Sequence, residues 1–216
     1  RIIEDGHKFT LLVNNDTLVP NDMITRLLEA MLTLGDAGSV GPLICDYPQV
    51  ERVSFSKAQW NTSKAIFNHF IIEDVNVAEG LSKPYETDFV CGCCLLTRTE
   101  LWEKVGLLDE RYFAYYEEAD WCFRLRRIGY KSFIVPDTKI YHRTSRSNSV
   151  KPLSVYLLSR NRLLWMHENL KFFEILSRWK ELSQFFEGYA SKDSSALQQE
   201  FENLLLEHVP VVAKFL

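Results

Sequence analysis

The chain has 216 residues, of which 46% are hydrophobic and 25% are charged, and its formal net charge at pH 7 is -4. A chain of this size and composition can bury one substantial core, and its slight acidity excludes the strongly basic surface that is typical of nucleic-acid-binding proteins. Its 5 cysteines lack the spacing of a disulfide framework or a zinc site, so we expect reduced thiols in a cytoplasmic protein.

The first predicted elements are a strand, a helix and a second strand. Residues 8–13 form a short apolar run that stops at the polar residues 14–16, which is typical of a buried strand ending in a turn. Residues 23–32 carry apolar side chains at helical spacing behind a polar cap at 21–22, and residues 39–44 favour a further strand. This order is typical of a βαβ unit and predicts a parallel sheet.

The middle of the chain is less regular. Residues 46–88 have no clean hydrophobic period, and we predict a long excursion with small elements there. Residues 89–96 are predicted to form a strand that is apolar on both faces, and residues 99–106 a short helix that ends at a glycine. Residues 117–128 are predicted to be helical, because acids at the start and arginines near the end suit the helix dipole.

Two short strands and a loop are predicted next. Residues 131–135 form a strand that stops at Pro136, and residues 140–142 form another. The serine-rich residues 144–149 are predicted to form a polar loop.

The C-terminal part is predicted to be helical from residue 152 onward, with a separate amphipathic segment at 193–206. We therefore divide the chain into a first domain, residues 1–150, and a helical extension, residues 151–216. Aromatic side chains in the extension either pack on the first domain or lie on a membrane surface. These residues are Phe172, Phe173, Trp179, Phe185 and Phe186.

Acids and one histidine stand where chemistry is expected. Asp16 directly follows a strand, where open α/β sheets bind ligands, and it either holds a divalent cation or belongs to an ordinary turn. Glu117 and Glu118 begin a helix; they complement its dipole, or one of them points into a cleft and removes a proton from an acceptor hydroxyl. His142 gains a functional meaning if it approaches the same cation as Asp16, and is otherwise an ordinary residue.

Aromatic and basic side chains accompany these residues. The aromatic run at residues 112–116 suits either sugar rings or a plain core. Arg143, Arg146 and Arg160 either bind a diphosphate through their forked guanidinium groups or form a solvated basic patch.

Taken together, these residues resemble the family 2 glycosyltransferases, and most closely their rhamnosyltransferase-type branch. The segments that carry the resemblance lie within residues 8–170 and are, in chain order, 11–17, 92–93, 108–113, 116–124, 129–130, 142 and 159–162. The resemblance implies the GT-A fold, an α/β architecture with a Rossmann-like mixed sheet and flanking helices, followed here by C-terminal helices. It also implies an inverting transfer from a nucleotide-diphosphate sugar to a hydroxyl of a glycan or lipid-linked acceptor, with Mg²⁺ or Mn²⁺ as cofactor.

The resemblance implies roles for individual residues. Asp16 takes the metal-binding position, and His142 matches a histidine that can complete the metal site. Glu118 takes the position of the catalytic base, where the family has Asp, and Glu117 is the alternative base. The implied donor-binding residues are Asn14, Asn15, Cys91, Gly92, Cys93, Arg143 and Arg160, and the implied acceptor-binding residues are Tyr116, Asp120 and Trp121.

One departure from the family pattern concerns the front of the chain. The family begins with a nucleotide-recognising β-α-β region, but only a few residues precede Asn14 here. We therefore expect the first third of the catalytic domain to be missing and the chain as given to bind donor poorly. Without a signal peptide or a run as long as a membrane span, we expect a cytoplasmic protein, with lipid-linked acceptors reached at the inner face of the cell membrane.

Two other functions remain open on the sequence alone. A sugar nucleotidyltransferase on a related fold would carry a glycine-rich signature in the part of the domain that is absent here. A non-catalytic module that binds a nucleotide sugar would have a decayed site, which the presence of Asp16, Glu118 and His142 disfavours.

Overall fold

The computed structural model describes residues 3–61, 66–73, 81–143 and 152–170. The strands in these ranges are β1 (Phe9–Val13), β2 (Thr17–Leu18), β3 (Ala37–Asp46), β4 (Val53–Asn61), β5 (Ile66–Ile72), β6 (Tyr85–Thr87), β7 (Cys94–Arg98) and β8 (Lys131–His142). The helices are α1 (Met23–Thr33), α2 (Glu100–Val105), α3 (Glu117–Arg127) and α4 (Pro152–Asn169), and a 3-10 turn covers Glu110–Tyr112. The predicted loop at 144–149, the amphipathic segment at 193–206 and the aromatic residues of the extension lie outside the described residues.

The chain divides into two compact units. The first comprises Arg1–Trp60, Phe67–Glu110 and Glu117–Arg146, and the second comprises Asn61–Ile66, Arg111–Tyr116 and Ser147–Leu216. The predicted boundary at residue 150 stays a prediction.

β3 lies in the middle of the sheet. It pairs in parallel with β8, from Ala37 opposite Lys131 to Asp46 opposite His142. On its other side it pairs antiparallel with β7 near its start and with β4 near its end. Because β7 also pairs antiparallel with β1, the strands β1, β3 and β8 run in the same direction.

The sheet is therefore mixed, and a purely parallel arrangement, as the strand-helix-strand pattern alone predicted, is wrong. β7 lies between β1 and β3 in the sheet, although it follows both of them in the chain. Hydrophobic periodicity reports which segments are strands, but it does not report which strands are neighbours.

The predicted stop at Pro136 is also wrong, since β8 continues through this residue. Val135 pairs with Pro42 and Lys139 pairs with Leu43, so residues 136–138 are extra residues on the β8 side of the ladder. A bulge leaves a residue without a ladder hydrogen bond, and proline, which has no N–H, is tolerated there. The two strands that we predicted are one strand with a bulge.

The segment at 46–88 contains more strand than predicted. In β4 the buried positions include Val53 and Phe55 and then Ser56 and Ala58, so the inward-facing positions change phase within the strand. This phase change erases the simple alternation that marks a half-buried strand in a sequence. β4 and β5 were therefore not recognisable from hydrophobic period alone.

The predicted strand at 89–96 begins only at Cys94. The Cys94 amide donates to the Cys91 carbonyl at 3.1 Å, which makes residues 91–94 a turn. Gly41 on β3 permits close packing of this region, because a Cβ at that position would lie 2.2 Å from Val90 Cγ1 and 2.8 Å from the Cys94 carbonyl oxygen. The turn and its approach are thus held against the central strand.

The helices predicted at 23–32, 99–106 and 117–128 are confirmed within a few residues at each end, and the helix predicted from residue 152 is present over Pro152–Asn169. α1 follows Asp22, whose side chain binds Arg26 at 2.7 Å and makes no capping hydrogen bond. α2 is closed by Gly106, whose φ of 89° suits glycine. Within the described ranges, helices long and apolar enough to cross a membrane are absent.

Candidate active site

The ends of three strands meet at one edge of the sheet. Because β1, β3 and β8 run in the same direction, the residues that follow them lie at the same edge, where open α/β sheets bind ligands. Residues 14–16 follow β1, Tyr47 follows β3, and His142 ends β8. β7 starts at this edge and is preceded by the turn at 91–93.

Asp16 and His142 form a pair at this edge. The Asp16 Oδ1 and His142 Nε2 atoms are 3.1 Å apart. Thr17 pairs with His142 in the β2–β8 ladder, and the Arg143 amide donates to the Asp16 carbonyl at 3.0 Å, so backbone hydrogen bonds fix both residues. The side chains are 47% and 22% exposed, respectively, which leaves the pair accessible to a ligand.

The donor set of this pair fits a divalent cation. A carboxylate oxygen and a neutral imidazole nitrogen are both metal ligands, and adjacent ligands about 2.1 Å from an octahedral ion lie about 3 Å apart. A cluster of three or more His, Cys, Asp or Glu side chains around one point does not occur in the described part of the chain. A cation held here would therefore take its other ligands from phosphate and water, which is the usual coordination of Mg²⁺.

Glu118 lies at the start of α3 and contacts the turn that precedes β7. Its Oε1 accepts the Gly92 amide hydrogen at 3.3 Å, while its Oε2 is shielded from solvent and lacks a hydrogen-bond partner among the described residues. Burial, and secondly the charge of Glu117, raise the pKa of Glu118 from 4.5 to about 7. A carboxyl group with this pKa can accept a proton near neutral pH, as a general base must.

Glu117 has a similar environment. Its Oε2 is likewise shielded and without a hydrogen-bond partner in the described ranges, and burial raises its pKa. The charge of Glu117 raises the pKa of Glu118, so the loss of a proton from one carboxyl group changes the proton affinity of the other. The contact with Gly92 distinguishes Glu118, because it ties this carboxyl group to the edge that carries Asp16 and His142.

Residues of the first unit that were predicted to bind the donor lie next to this edge. The Asn14 amide donates to the Cys93 carbonyl at 3.0 Å, which joins the segment after β1 to the turn at 91–93. Asn15 is exposed beside it. A hydrogen bond with the Cys93 thiol, and secondly burial, raise the pKa of Cys91 well above its ordinary value, so the thiol is neutral and a poor nucleophile. Contact of Cys91 with a donor sugar stays a prediction.

Of the three arginines predicted to bind a diphosphate, Arg146 lies outside the described residues, and the other two have different surroundings. Arg143 is exposed, and its guanidinium carbon lies 5.3 Å from the centroid of the Tyr47 ring. Arg160, in the second unit, donates to the Arg111 carbonyl at 2.5 Å and to the Asn161 side-chain oxygen at 3.0 Å. A donor-binding role of Arg160 stays a prediction.

Two of the predicted acceptor-binding residues are engaged in packing. Trp121 is 0% exposed, its Nε1 donates to the Gly106 carbonyl at 2.8 Å, and its ring lies 4.3 Å from that of Trp102. Asp120 is 5% exposed and binds Arg124 at 2.8 Å. These contacts join α3 to the end of α2, and contact of either residue with an acceptor stays a prediction.

Tyr116, the third predicted acceptor-binding residue, belongs to the second unit. Its φ is 76°, and burial raises the pKa of its phenol to about 12. It ends a segment in which Phe113 and Tyr115 also have positive φ. Its contact with an acceptor stays a prediction.

Two residues with clear structural roles were missed by sequence reasoning. Tyr47 has no motif around it, and its neighbourhood with Arg143 follows from the pairing of Asp46 with His142 in the β3–β8 ladder. Asn161 was part of a recognised segment but had no role assigned. It is 0% exposed, and its amide donates to three backbone carbonyls, those of Tyr112, Ala114 and Tyr115.

Comparison with known proteins gives several related sequences, among them one from Shigella flexneri and one from Mycobacterium tuberculosis. No protein-family model matches the chain. The chain is 24% identical over 177 residues to the dTDP-rhamnosyl transferase RfbF of Shigella flexneri, and the matched region covers 77% of this chain and 56% of that protein. It is 27% identical over 165 residues to the N-acetylglucosaminyl-diphospho-decaprenol L-rhamnosyltransferase of Mycobacterium tuberculosis, and that matched region covers 68% of this chain and 50% of that protein. The chain thus spans about half the length of these relatives.

A solved structure supports the fold. A crystal structure of GalNAc-T7 with UDP, GalNAc and Mn2+ matches with a TM-score of 0.53 at 13% identity, covering 74% of this chain and 31% of that chain. At this identity the likeness establishes the fold alone, and it confirms the predicted GT-A architecture. The two sequence matches confirm the predicted similarity to rhamnosyltransferases.

Proposed function

We propose that this chain carries the metal- and acceptor-side chemistry of an inverting family 2 glycosyltransferase, which moves a sugar from a nucleotide diphosphate to an acceptor hydroxyl. The observation that carries the proposal is the pair of Asp16 and His142, 3.1 Å apart, at a sheet edge that Glu118 also contacts through Gly92. A cation ligand set and a carboxyl group of suitable pKa on one edge meet the two needs of such a transfer, charge for the leaving group and a base for the acceptor.

Each residue has one task in the proposed reaction. Asp16 and His142 would hold a Mg²⁺ or Mn²⁺ ion, which would supply positive charge for a leaving diphosphate. Arg143 adds hydrogen bonds to phosphate oxygens through its guanidinium group. Glu118 takes the proton of the acceptor hydroxyl as the oxygen attacks the anomeric carbon from the face opposite the diphosphate. The turn at residues 91–93 forms the wall beside the donor sugar.

The relatives suggest the substrate class. One is named for a dTDP-rhamnosyl donor, and the other for an acceptor linked through a diphosphate to decaprenol. We therefore propose a rhamnosyl-type donor and a glycan or lipid-linked acceptor, used in polysaccharide biosynthesis. A lipid-linked acceptor would bring the protein to the cytoplasmic face of a membrane.

Product detection tests this proposal. The protein is incubated with Mn²⁺, dTDP-rhamnose and N-acetylglucosaminyl-diphospho-polyprenol, and the rhamnosylated lipid and dTDP are quantified. Replacement of Glu118 by Gln should lower kcat by about 10²- to 10⁴-fold, because the general base is lost, while donor affinity is kept.

The exposed Glu100, which pairs with Lys104 on α2, provides the matched control. Glu100→Gln should transfer sugar at the wild-type rate. A Glu118→Gln variant that is as active as wild type would exclude the base assignment. Release of pyrophosphate in a parallel incubation with dTTP and rhamnose 1-phosphate, without sugar transfer to the lipid, would indicate a nucleotidyltransferase.

A further inference from the structure

Three chain segments are joined by backbone hydrogen bonds at the site edge. The Tyr47 amide donates to the His142 carbonyl at 3.0 Å, and the Arg143 amide donates to the Asp16 carbonyl at 3.0 Å. His142 also pairs with Thr17 in the β2–β8 ladder. Strand β8 therefore brings these residues together, because it pairs with β2 beside Asp16 and with β3 beside Tyr47.

The Arg143 guanidinium lies over the Tyr47 ring, with 5.3 Å between its central carbon and the ring centroid. Arg143 is exposed, Tyr47 is half-buried, and Arg143 makes no ion pair with a described carboxylate. Other arginines of the same unit, such as Arg52 and Arg126, bind carboxylates. The aromatic ring is thus the contact that orients Arg143.

The type of contact decides what the guanidinium can still do. A carboxylate partner uses the N–H groups in the guanidinium plane, whereas an aromatic ring contacts its face. The cation–π contact with Tyr47 therefore positions Arg143 without using its N–H groups in an ion pair to a described carboxylate, so these donors stay available for an anion. The fork matches two oxygens of a phosphate or a carboxylate, and a diphosphate is the anion of the proposed donor.

We propose that Tyr47 is a positioning residue for donor binding, whose ring holds the Arg143 guanidinium beside the Asp16–His142 pair so that its N–H groups receive the donor diphosphate. This inference rests on the proposed function, because the diphosphate is that of the nucleotide sugar. Tyr47 acts through Arg143 and does not itself contact the reacting atoms.

Binding of inorganic pyrophosphate with Mn²⁺, measured by titration calorimetry, isolates this role from recognition of the base and the sugar. A cation–π contact at an exposed site contributes about 0.5–1 kcal/mol, so Tyr47→Leu should weaken pyrophosphate binding about 2- to 5-fold. Tyr47→Phe should bind as wild type does, because the ring is kept. Arg143→Gln should weaken binding about 10-fold or more, because charge-assisted hydrogen bonds are lost.

The double variant separates positioning from a general structural effect. If Tyr47 acts through Arg143, Tyr47→Leu should cause no further loss of pyrophosphate affinity in an Arg143→Gln background. The matched control is Phe123→Leu on α3. The Arg127 guanidinium carbon lies 4.9 Å from the centroid of the Phe123 ring, so this variant loses a similar contact, and its pyrophosphate affinity should stay that of wild type. Should Tyr47→Leu fail to fold, Arg143→Lys takes its place, because it keeps the charge and removes the guanidinium group that contacts the Tyr47 ring. Arg143→Lys should then bind pyrophosphate more weakly than the wild-type protein.

Three results would overturn the inference. They are unchanged pyrophosphate affinity in Tyr47→Leu, the same loss from Tyr47→Leu in the Arg143→Gln background as in the wild-type background, and absence of Mn²⁺-dependent pyrophosphate binding by the wild-type protein. The proposed function fails separately, when wild type forms no rhamnosylated lipid. Sugar transfer by wild type together with full pyrophosphate affinity in Tyr47→Leu would leave the proposed function in place and refute the role of Tyr47.

Discussion

Glu118 combines two features that favour the protonated form of a carboxylic acid. One of its oxygens is shielded from solvent without a hydrogen-bond partner among the described residues, and a second carboxyl group, that of Glu117, is its neighbour in the chain. Burial disfavours the charged form of an acid, and a nearby negative charge does so as well. The same environment that suits a base near neutral pH therefore destabilises the fold when the base is charged.

This linkage predicts how stability depends on pH. The pKa of Glu118 is raised in the folded protein from 4.5 to about 7, so folding is favoured below pH 4.5 and this contribution is lost as the pH rises through 7. Glutamine cannot lose a proton. The Glu118→Gln variant should therefore gain in free energy of unfolding, relative to wild type, between pH 5 and pH 8.

Urea unfolding at the two pH values measures this difference. Glu100→Gln, in which an exposed acid is replaced, should show no comparable change between pH 5 and pH 8. A Glu118→Gln variant whose stability relative to wild type is the same at both pH values would contradict the environment described for Glu118.

At the scale of elements, α4 holds the segment before Glu117 in an unusual conformation. Phe113, Tyr115 and Tyr116 have φ values of 61°, 69° and 76°, which backbone preference disfavours, and Phe113 is 80% exposed, so burial of its ring does not compensate. The Asn161 amide, donating to three carbonyls of the segment, offsets this cost. Strained backbone of this kind persists only where surrounding contacts determine it.

Asn161→Ala should accordingly destabilise the protein by about 1–3 kcal/mol, because buried carbonyls lose their donor. Asn169 on the same helix is the matched control, since its amide donates only to Trp165 within α4, at 3.0 Å. Asn169→Ala should cost less than about 1 kcal/mol. Chemical unfolding of both variants measures the difference, and equal losses would show that Asn161 does not hold the segment.

The elements themselves were predictable where one face is steadily buried. α1 keeps Met23, Leu27 and Met31 in the core at helical spacing, and the prediction from that spacing was correct. Prediction from hydrophobic period failed at Pro136, because this residue lies in a bulge of β8 and does not end the strand. It also failed in β4, because the inward-facing positions change phase within the strand. Neither a bulge nor a phase change can be read from composition.

At the scale of the molecule, the sequence predicted candidate residues for the active site, but it did not predict how they are arranged in space. Asp16 and His142 are 126 positions apart, and they meet only because β2 pairs with β8. Tyr47 has no motif of its own, and it lies beside Arg143 because β3 pairs with β8. Trp121 shows the reverse case, because a residue in a recognisable motif lies fully in the core.

Binding at this edge should stabilise the whole fold, since a ligand that binds only the folded state adds RT ln(1 + [L]/Kd) to its stability. At a ligand concentration of 100 Kd this amounts to about 2.7 kcal/mol. We therefore expect dTDP with Mn²⁺ to raise Tm more than dTDP with EDTA. Because Asp16 supplies a carboxylate to the cation, Asp16→Asn should lose the Mn²⁺-dependent part of the shift.

Asp137 provides the control for this measurement, since it is an exposed acid that binds Arg26 at 3.0 Å on the bulge of β8. Asp137→Asn should keep the full Mn²⁺-dependent shift in Tm, although it removes the same charge from the protein. If both variants lost the shift equally, the effect would come from net charge and not from a cation held by Asp16 and His142. If dTDP raised Tm equally with Mn²⁺ and with EDTA, a role of the cation in donor binding would be excluded.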